Sequence, residues 1–228
     1  MLTRIITGAV ALIIFIPVLF FSHTIIFNIA IAVIALAATL EILNCAGVVK
    51  KRKNIPAKDI AICFFAIIFI AVSFASIIIT RRSENGDILY LLIFIGAWTS
   101  DTFAYFTGRL LGRHKLAPVI SPKKTIEGAV GGVIFCALAF VLYGFIISNI
   151  KDMQPDYILL GVTGLAISVI SILGDLAMSA IKRYYGVKDY GAIFPGHGGV
   201  LDRFDSVMAA ALLIMVLGFI GGIFECYQ

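Results

Sequence analysis

The chain has 228 residues, of which 61% are hydrophobic and 14% charged, with a net charge of +5 and a mean hydropathy of +1.06. A soluble domain is about 45–50% apolar and about 25% charged, so this much apolar surface excludes an ordinary soluble fold and must face lipid. The positive charge does not point to nucleic acid, because no basic stretch is interleaved with exposed polar surface; in a membrane protein it reports topology and anionic-lipid partners.

In chain order, Arg4 precedes the apolar run 5–21. That run reads as a retained first helix rather than a cleaved leader, since a second apolar run follows at once and no small-x-small site closes the first. A span needs about 20 mostly apolar residues, and seven candidates follow: 5–21, 24–43, 60–80, 88–107, 126–148, 157–180 and 207–224. Pro17 is expected to kink or tilt the first. The four cysteines, Cys45, Cys63, Cys136 and Cys226, lie in or beside apolar segments without a CxxC or Cys/His cluster and read as packing residues.

The basic residues orient this stack. With the N-terminus in the cytoplasm, segments 1–4, 44–59, 108–125 and 181–206 are cytoplasmic, and only Arg81, Arg82 and Lys151 of the 18 Lys and Arg fall elsewhere. That bias predicts N-in, C-out. Segment 44–59, with Lys50, Lys51, Arg52, Lys53 and Lys58, reads as a basic connector suited to anionic headgroups. No repeat or soluble insert stands out, so the expectation is an all-α polytopic bundle of about seven spans, a single integral membrane domain over 1–228.

A charge at mid-span costs roughly 2.5–3.5 kcal/mol on insertion scales, so each intramembrane acid needs a reason. Glu41, Asp101, Glu127, Asp175, Asp202 and Asp205 all fall near the cytoplasmic ends of their spans, which predicts one polar site at the inner interface. The richest stretch is 174–206. Asp175, Ser179, Lys182 and Arg183 recur at helical spacing and share a face. Lys188 and Asp189 follow, then Pro195-Gly196-His197-Gly198-Gly199, whose glycines allow an anion-binding turn. Asp202, Arg203 and Asp205 open the last helix, where two acids can face one hard cation. Acids for a metal, with bases and glycines for phosphates, match a metal–triphosphate site.

The second stretch is 98–128. Asp101 and Tyr105 lie one turn apart, and Arg109, Arg113, His114 and Lys115 form a basic patch at the end of that helix. Ser121-Pro122-Lys123-Lys124-Thr125 leads into the next span, with Thr125 as its N-cap and Glu127 in its first turn.

Segment 179–205 resembles the signature of the phosphatidate cytidylyltransferase (CDP-diglyceride synthase) family: Ser-x-aliphatic-Lys-Arg, four residues, Lys-Asp, then Pro-x-His-Gly-Gly and Asp-Arg-x-Asp. Ser179, Lys182, Arg183, Lys188, Asp189, Pro195, His197, Gly198, Gly199, Asp202, Arg203 and Asp205 all fit it. Trp98, Asp101, Tyr105, Gly108, Ser121 to Thr125, Glu127 and Gly128 are similar to the family's second cluster. The resemblance implies conversion of CTP and phosphatidate to CDP-diacylglycerol and pyrophosphate in phospholipid biosynthesis. It implies Mg²⁺ with a monovalent cation such as K⁺ beside it, held by Asp175 and Asp202 with Asp205 as a third candidate, and it admits a homodimer in the cell (inner) membrane. Asp175, Asp202, Lys182 and Arg183 are the expected catalytic residues. Ser121, Lys123, Lys124, Ser179, Lys188, Asp189, His197, Gly198, Gly199, Arg203 and Asp101 are the expected substrate-binding set.

Two other readings fit less well. A CDP-alcohol phosphotransferase would carry an Asp-Gly-x-x-Ala-Arg motif, which does not occur here. A transporter would show two related halves with midplane charges, whereas these halves differ and the charges gather at one interface.

Overall fold

A computed structural model describes residues 2–48, 55–151, 153–196, 198–220 and 224–226. Of the expected functional positions, His197 and the Lys50–Lys53 run lie outside the described residues.

Seven helices are described: α1 (Leu2–Phe20), α2 (Ile25–Cys45), α3 (Ala57–Arg82), α4 (Gly86–Leu111), α5 (Ile126–Ile150), α6 (Tyr157–Tyr184) and α7 (Leu201–Ile220). They follow the apolar runs of the sequence, but five of them, α2 to α6, are both long and apolar enough to cross a membrane. The last helix opens with Asp202, Arg203 and Asp205, as expected, but it runs from Leu201 to Ile220 rather than over the apolar run 207–224. Residues 224–226 form a short strand, β4, paired antiparallel with β3 (Met153–Pro155).

A second pair departs from the all-α expectation. β1 (Lys115–Ala117) and β2 (Ser121–Thr125) form an antiparallel hairpin between α4 and α5. Pro118 and Pro122 fix φ and remove backbone donors here, so the polar stretch folds back on itself instead of prolonging either helix.

Helix α4 lies at the centre, packed against α3, α5, α6 and α7. Its approach to α5 is close because glycines face it: a Cβ on Gly128 would sit 2.6 Å from the Ala104 carbonyl oxygen, and one on Gly132 would sit 2.8 Å from that of Ser100. The glycine-bearing face 128–132 thus finds its close packing within the chain. Ser100 and Ser168 share a buried hydroxyl–hydroxyl hydrogen bond of 2.6 Å between α4 and α6, which satisfies polar groups where water is excluded. Phe27, Phe74, Phe94 and Phe140 fill the interior. Large apolar side chains such as Phe65, Leu142 and Ile158 point outward, as expected of a surface solvated by acyl chains rather than water.

Successive antiparallel helices bring the C-terminal ends of α2, α4 and α6 to the same end of the bundle as the N-terminal ends of α3, α5 and α7. Glu41, Asp101, Glu127, Asp175, Asp202 and Asp205 all belong to that end.

Candidate functional site

The hairpin is the element that joins the two polar stretches. Thr125 ends β2 and caps α5, its hydroxyl accepting from the Gly128 N–H at 3.1 Å. Glu127 does more than face a helix N-terminus: its carboxylate takes the backbone N–H of His114 at 3.2 Å and pairs with the ring Nδ1 at 2.6 Å. This tie closes the base of the hairpin. From the other side, the Arg183 guanidinium of α6 donates to the carbonyls of Ile120, at 3.1 Å, and Val187, at 3.0 Å. Arg183 therefore fastens the hairpin turn to α6 and to the loop that follows α6.

Between hairpin, α4, α5 and α6 opens a pocket of about 280 Å³, with Asp101, Tyr105, Arg109, Lys123, Lys124 and Asp175 among its lining residues. The Lys124 ammonium pairs with Asp175 Oδ2 at 2.6 Å, and the two side chains keep 23% and 21% of their accessible surface. The other carboxylate oxygen of Asp175 accepts from the Ser179 hydroxyl at 3.1 Å, one helical turn on, as the sequence spacing required. Asp101 lies within electrostatic range of Asp175, Lys124 and Arg203. Tyr105 shares the pocket with Asp101, and its hydroxyl accepts from Arg109 at 3.2 Å.

Behind the pocket sits a second polar group, at the start of α7. Asp202 Oδ1 accepts from Lys182 at 2.8 Å. Its Oδ2 accepts from the N–H of Tyr190 at 2.8 Å and from that of Gly199 at 2.9 Å. Lys182 also lies 5.4 Å from the centroid of the Tyr190 ring. Gly198 has φ +88°, a conformation that disfavours any side chain, and a Cβ there would come within 2.9 Å of Asp202 Oδ2. Within the glycine turn, the Gly199 N–H goes to Asp202 and the Gly198 N–H to the Phe194 carbonyl, at 3.1 Å. Asp205 is buried beside this group, within electrostatic range of Asp175, Asp101 and Lys182.

The remaining expected residues sit at the edge. Lys123, Lys188, Asp189 and Arg203 are exposed, and Ser121 is half-buried at the start of β2. Sequence reasoning missed Tyr190, which supplies an N–H to Asp202 and a hydroxyl to the Met178 carbonyl at 2.7 Å. The sequence places Glu41 among the acids of the inner interface, but its N–H donors, on Val200 and Leu201, lie too far along the chain for any local pattern to expose.

Hard oxygen donors and ammonium groups thus share one end of the bundle. Among the described residues no three carboxylate, imidazole or thiol side chains converge as a ready metal cage. Mg²⁺ does not need one, since it commonly binds through one or two carboxylates, waters and substrate phosphates.

The profile of the cytidylyltransferase family matches residues 45–221. The chain is 44% identical over 159 residues to a phosphatidate cytidylyltransferase of Staphylococcus aureus (strain COL), 42% to one of Staphylococcus haemolyticus (strain JCSC1435) and 41% to one of Staphylococcus epidermidis (strain ATCC 12228 / FDA PCI 1200). Each alignment covers 70% of this chain and 59% of the relative, so the chain spans under two thirds of the length of the curated relatives it matches. With more than half its residues inside the profile, and both polar stretches among them, the chain belongs to the cytidylyltransferase family.

Proposed function

We propose that this protein is a CTP:phosphatidate cytidylyltransferase, which transfers CMP from CTP to phosphatidate and releases pyrophosphate. The observation that carries the reading is the pocket: it sets Asp101 and Asp175 against Lys123, Lys124 and Arg109 at one end of an apolar bundle. Such a position lets a lipid phosphate meet a water-soluble nucleotide while its acyl chains stay in the bilayer. The names of the relatives support the same substrates.

A phosphatidate phosphate oxygen attacks the α-phosphorus of CTP, and pyrophosphate leaves in line. The nucleophile is already an anion, so no strong base is required. The difficulty is to bring two anions together, and fixed cations meet it. Lys124 has one carboxylate partner for three ammonium protons and takes a phosphate oxygen with the protons that remain. Lys123, Ser121 and Arg109 extend that contact. Lys188 and Arg203 serve the triphosphate, and Lys182, Arg183 and the turn at Gly198 and Gly199 hold the frame around it, with Ser179 and Asp189 supporting.

The oxygen donors present suit Mg²⁺. Asp175 is its foremost holder, with Asp205 next. Asp202 joins them only by releasing Lys182 or an amide. When bound, the ion offsets the charge of the leaving pyrophosphate; a K⁺ ion beside it is the second cation we expect.

We further propose a single domain of about seven spans in the cell membrane, N-terminus and active site on the cytoplasmic side. Its basic edges face anionic lipids, and a homodimer is the expected assembly.

The test is CTP-dependent conversion of phosphatidate by membranes that carry the full chain, with labelled CTP and Mg²⁺. Formation of CDP-diacylglycerol with equimolar pyrophosphate is the expected result. Wild-type-like turnover by Asp175→Asn would sink the assignment of the pocket.

A further inference from the structure

Glu41 lies near the end of α2 and is 6% exposed. It stands outside the residues matched by the family profile and outside the pocket. Its Oε1 accepts from the Val200 N–H at 2.9 Å and its Oε2 from the Leu201 N–H at 2.8 Å. The preceding N–H, of Gly199, goes to Asp202. Three consecutive peptide groups at the entry to α7 are therefore held by two carboxylates on different helices. The first amides of a helix have no partner inside it, and here they are buried, so each needs one from elsewhere.

The surrounding loop is shaped to let this carboxylate in. A Cβ on Gly199 would stand 2.6 Å from Glu41 Cδ, and one on Gly191 would stand 2.9 Å from the same atom. Two glycines at opposite ends of the 191–199 loop thus both close on Glu41. Gly191 has no left-handed φ, so backbone conformation gives it no reason to be glycine; the nearness of Glu41 does.

We propose that Glu41 is a positioning residue. It anchors the entry to α7 at Val200 and Leu201 from α2, so that the exposed Lys188 and Arg203 on either side of it present one fixed geometry to the triphosphate of the nucleotide. The inference rests on the reading of this chain as a CTP-dependent enzyme. It predicts that loosening the anchor weakens nucleotide handling more than lipid handling. Glutamine at this position keeps the size but turns an N–H₂ toward one of the two amide donors, and loss of a charged hydrogen bond of this kind corresponds to about a tenfold effect.

The experiment compares wild type, Glu41→Gln, Gly191→Ala and the double variant as full chains in detergent–lipid micelles. Three readouts are taken: thermal midpoint, amide exchange of the peptide covering 191–201, and KM for CTP and for phosphatidate. The expected result is faster exchange at 199–201 and a CTP KM raised about tenfold in either single variant. The phosphatidate KM and the melting of the rest of the chain should stay near wild type. The double variant should be no worse than the single ones, because both act on one contact. Wild-type turnover with exchange and CTP KM unchanged in both single variants overturns the inference, as does an equal rise in both KM values. A wild-type chain that fails to turn over sinks the enzyme reading instead; faster exchange in both variants then supports the anchor, and unchanged exchange overturns it.

Discussion

The pocket and the polar group at the start of α7 use the same residue types, yet they are wired in opposite ways. In the pocket, Lys124 and Asp175 form one ion pair and remain about one-fifth accessible. Lys182 and Asp202 keep 10% and 2% of their side-chain surface, and Asp202 has amide donors on its second oxygen as well. Each ammonium has one carboxylate oxygen, but the Lys124 pair lines the pocket and the Lys182 pair lies behind it. A lysine–aspartate pair at a membrane interface can be either pocket lining or fastening, and its burial and the partners of its carboxylate decide which. The amide donors on Asp202 tie it to the loop, while the second oxygen of Asp175 meets only the Ser179 hydroxyl.

This contrast can be broken at either side. The largest effect is expected at the fastening. Lys182→Met leaves the Asp202 charge buried without its ion partner and should cost about 3–5 kcal/mol of stability, read as a lowered unfolding midpoint in detergent. A stable Lys182→Met protein would show that the two pairs are not different in kind. Next comes Asp175→Asn, which should keep the melting behaviour of the wild type but lose roughly 10²–10³-fold in turnover, measured as pyrophosphate release.

Smaller effects sharpen the picture. Lys124→Ala should lower kcat/KM about tenfold or more, and Lys123→Ala by less, because Lys124 is the inner and Lys123 the exposed member of the strand; parallel kinetics on the two variants decide it. Thr125→Ala removes the cap of α5 and should cost about 1 kcal/mol, with kinetics shifted only slightly. A Thr125→Ala effect larger than that of Lys182→Met would place the structural weight in the hairpin instead.

Much of the frame was legible in the sequence. Apolar runs marked all seven helices, and the Asp175–Ser179 spacing and the Thr125 cap follow from local periodicity and capping chemistry. What stayed hidden was non-local or conformational. The partners of Lys182 and Arg183 at the end of α6, Asp202 and the Ile120 carbonyl, could not be read from their helical spacing. The hairpin 115–125 was hidden because its three-residue and five-residue strands carry too short a pattern to show alternation. The glycines at 198 and 199 were legible as a turn, yet only packing reveals that Asp202 takes the Gly199 N–H and Glu41 those of Val200 and Leu201.

The Glu41 contact also bears on how the chain is made. Its two donors stand 159 and 160 residues downstream. Translation delivers α2 to the bilayer well before α7 leaves the ribosome, and a lone carboxylate near a membrane edge must meanwhile be hydrated or borrow donors from neighbouring headgroups. Arrival of the last helix supplies both amide donors to that acid and closes this end of the bundle in one event. Assembly is thereby ordered: a chain truncated before Val200 lacks both donors and leaves Glu41 without them.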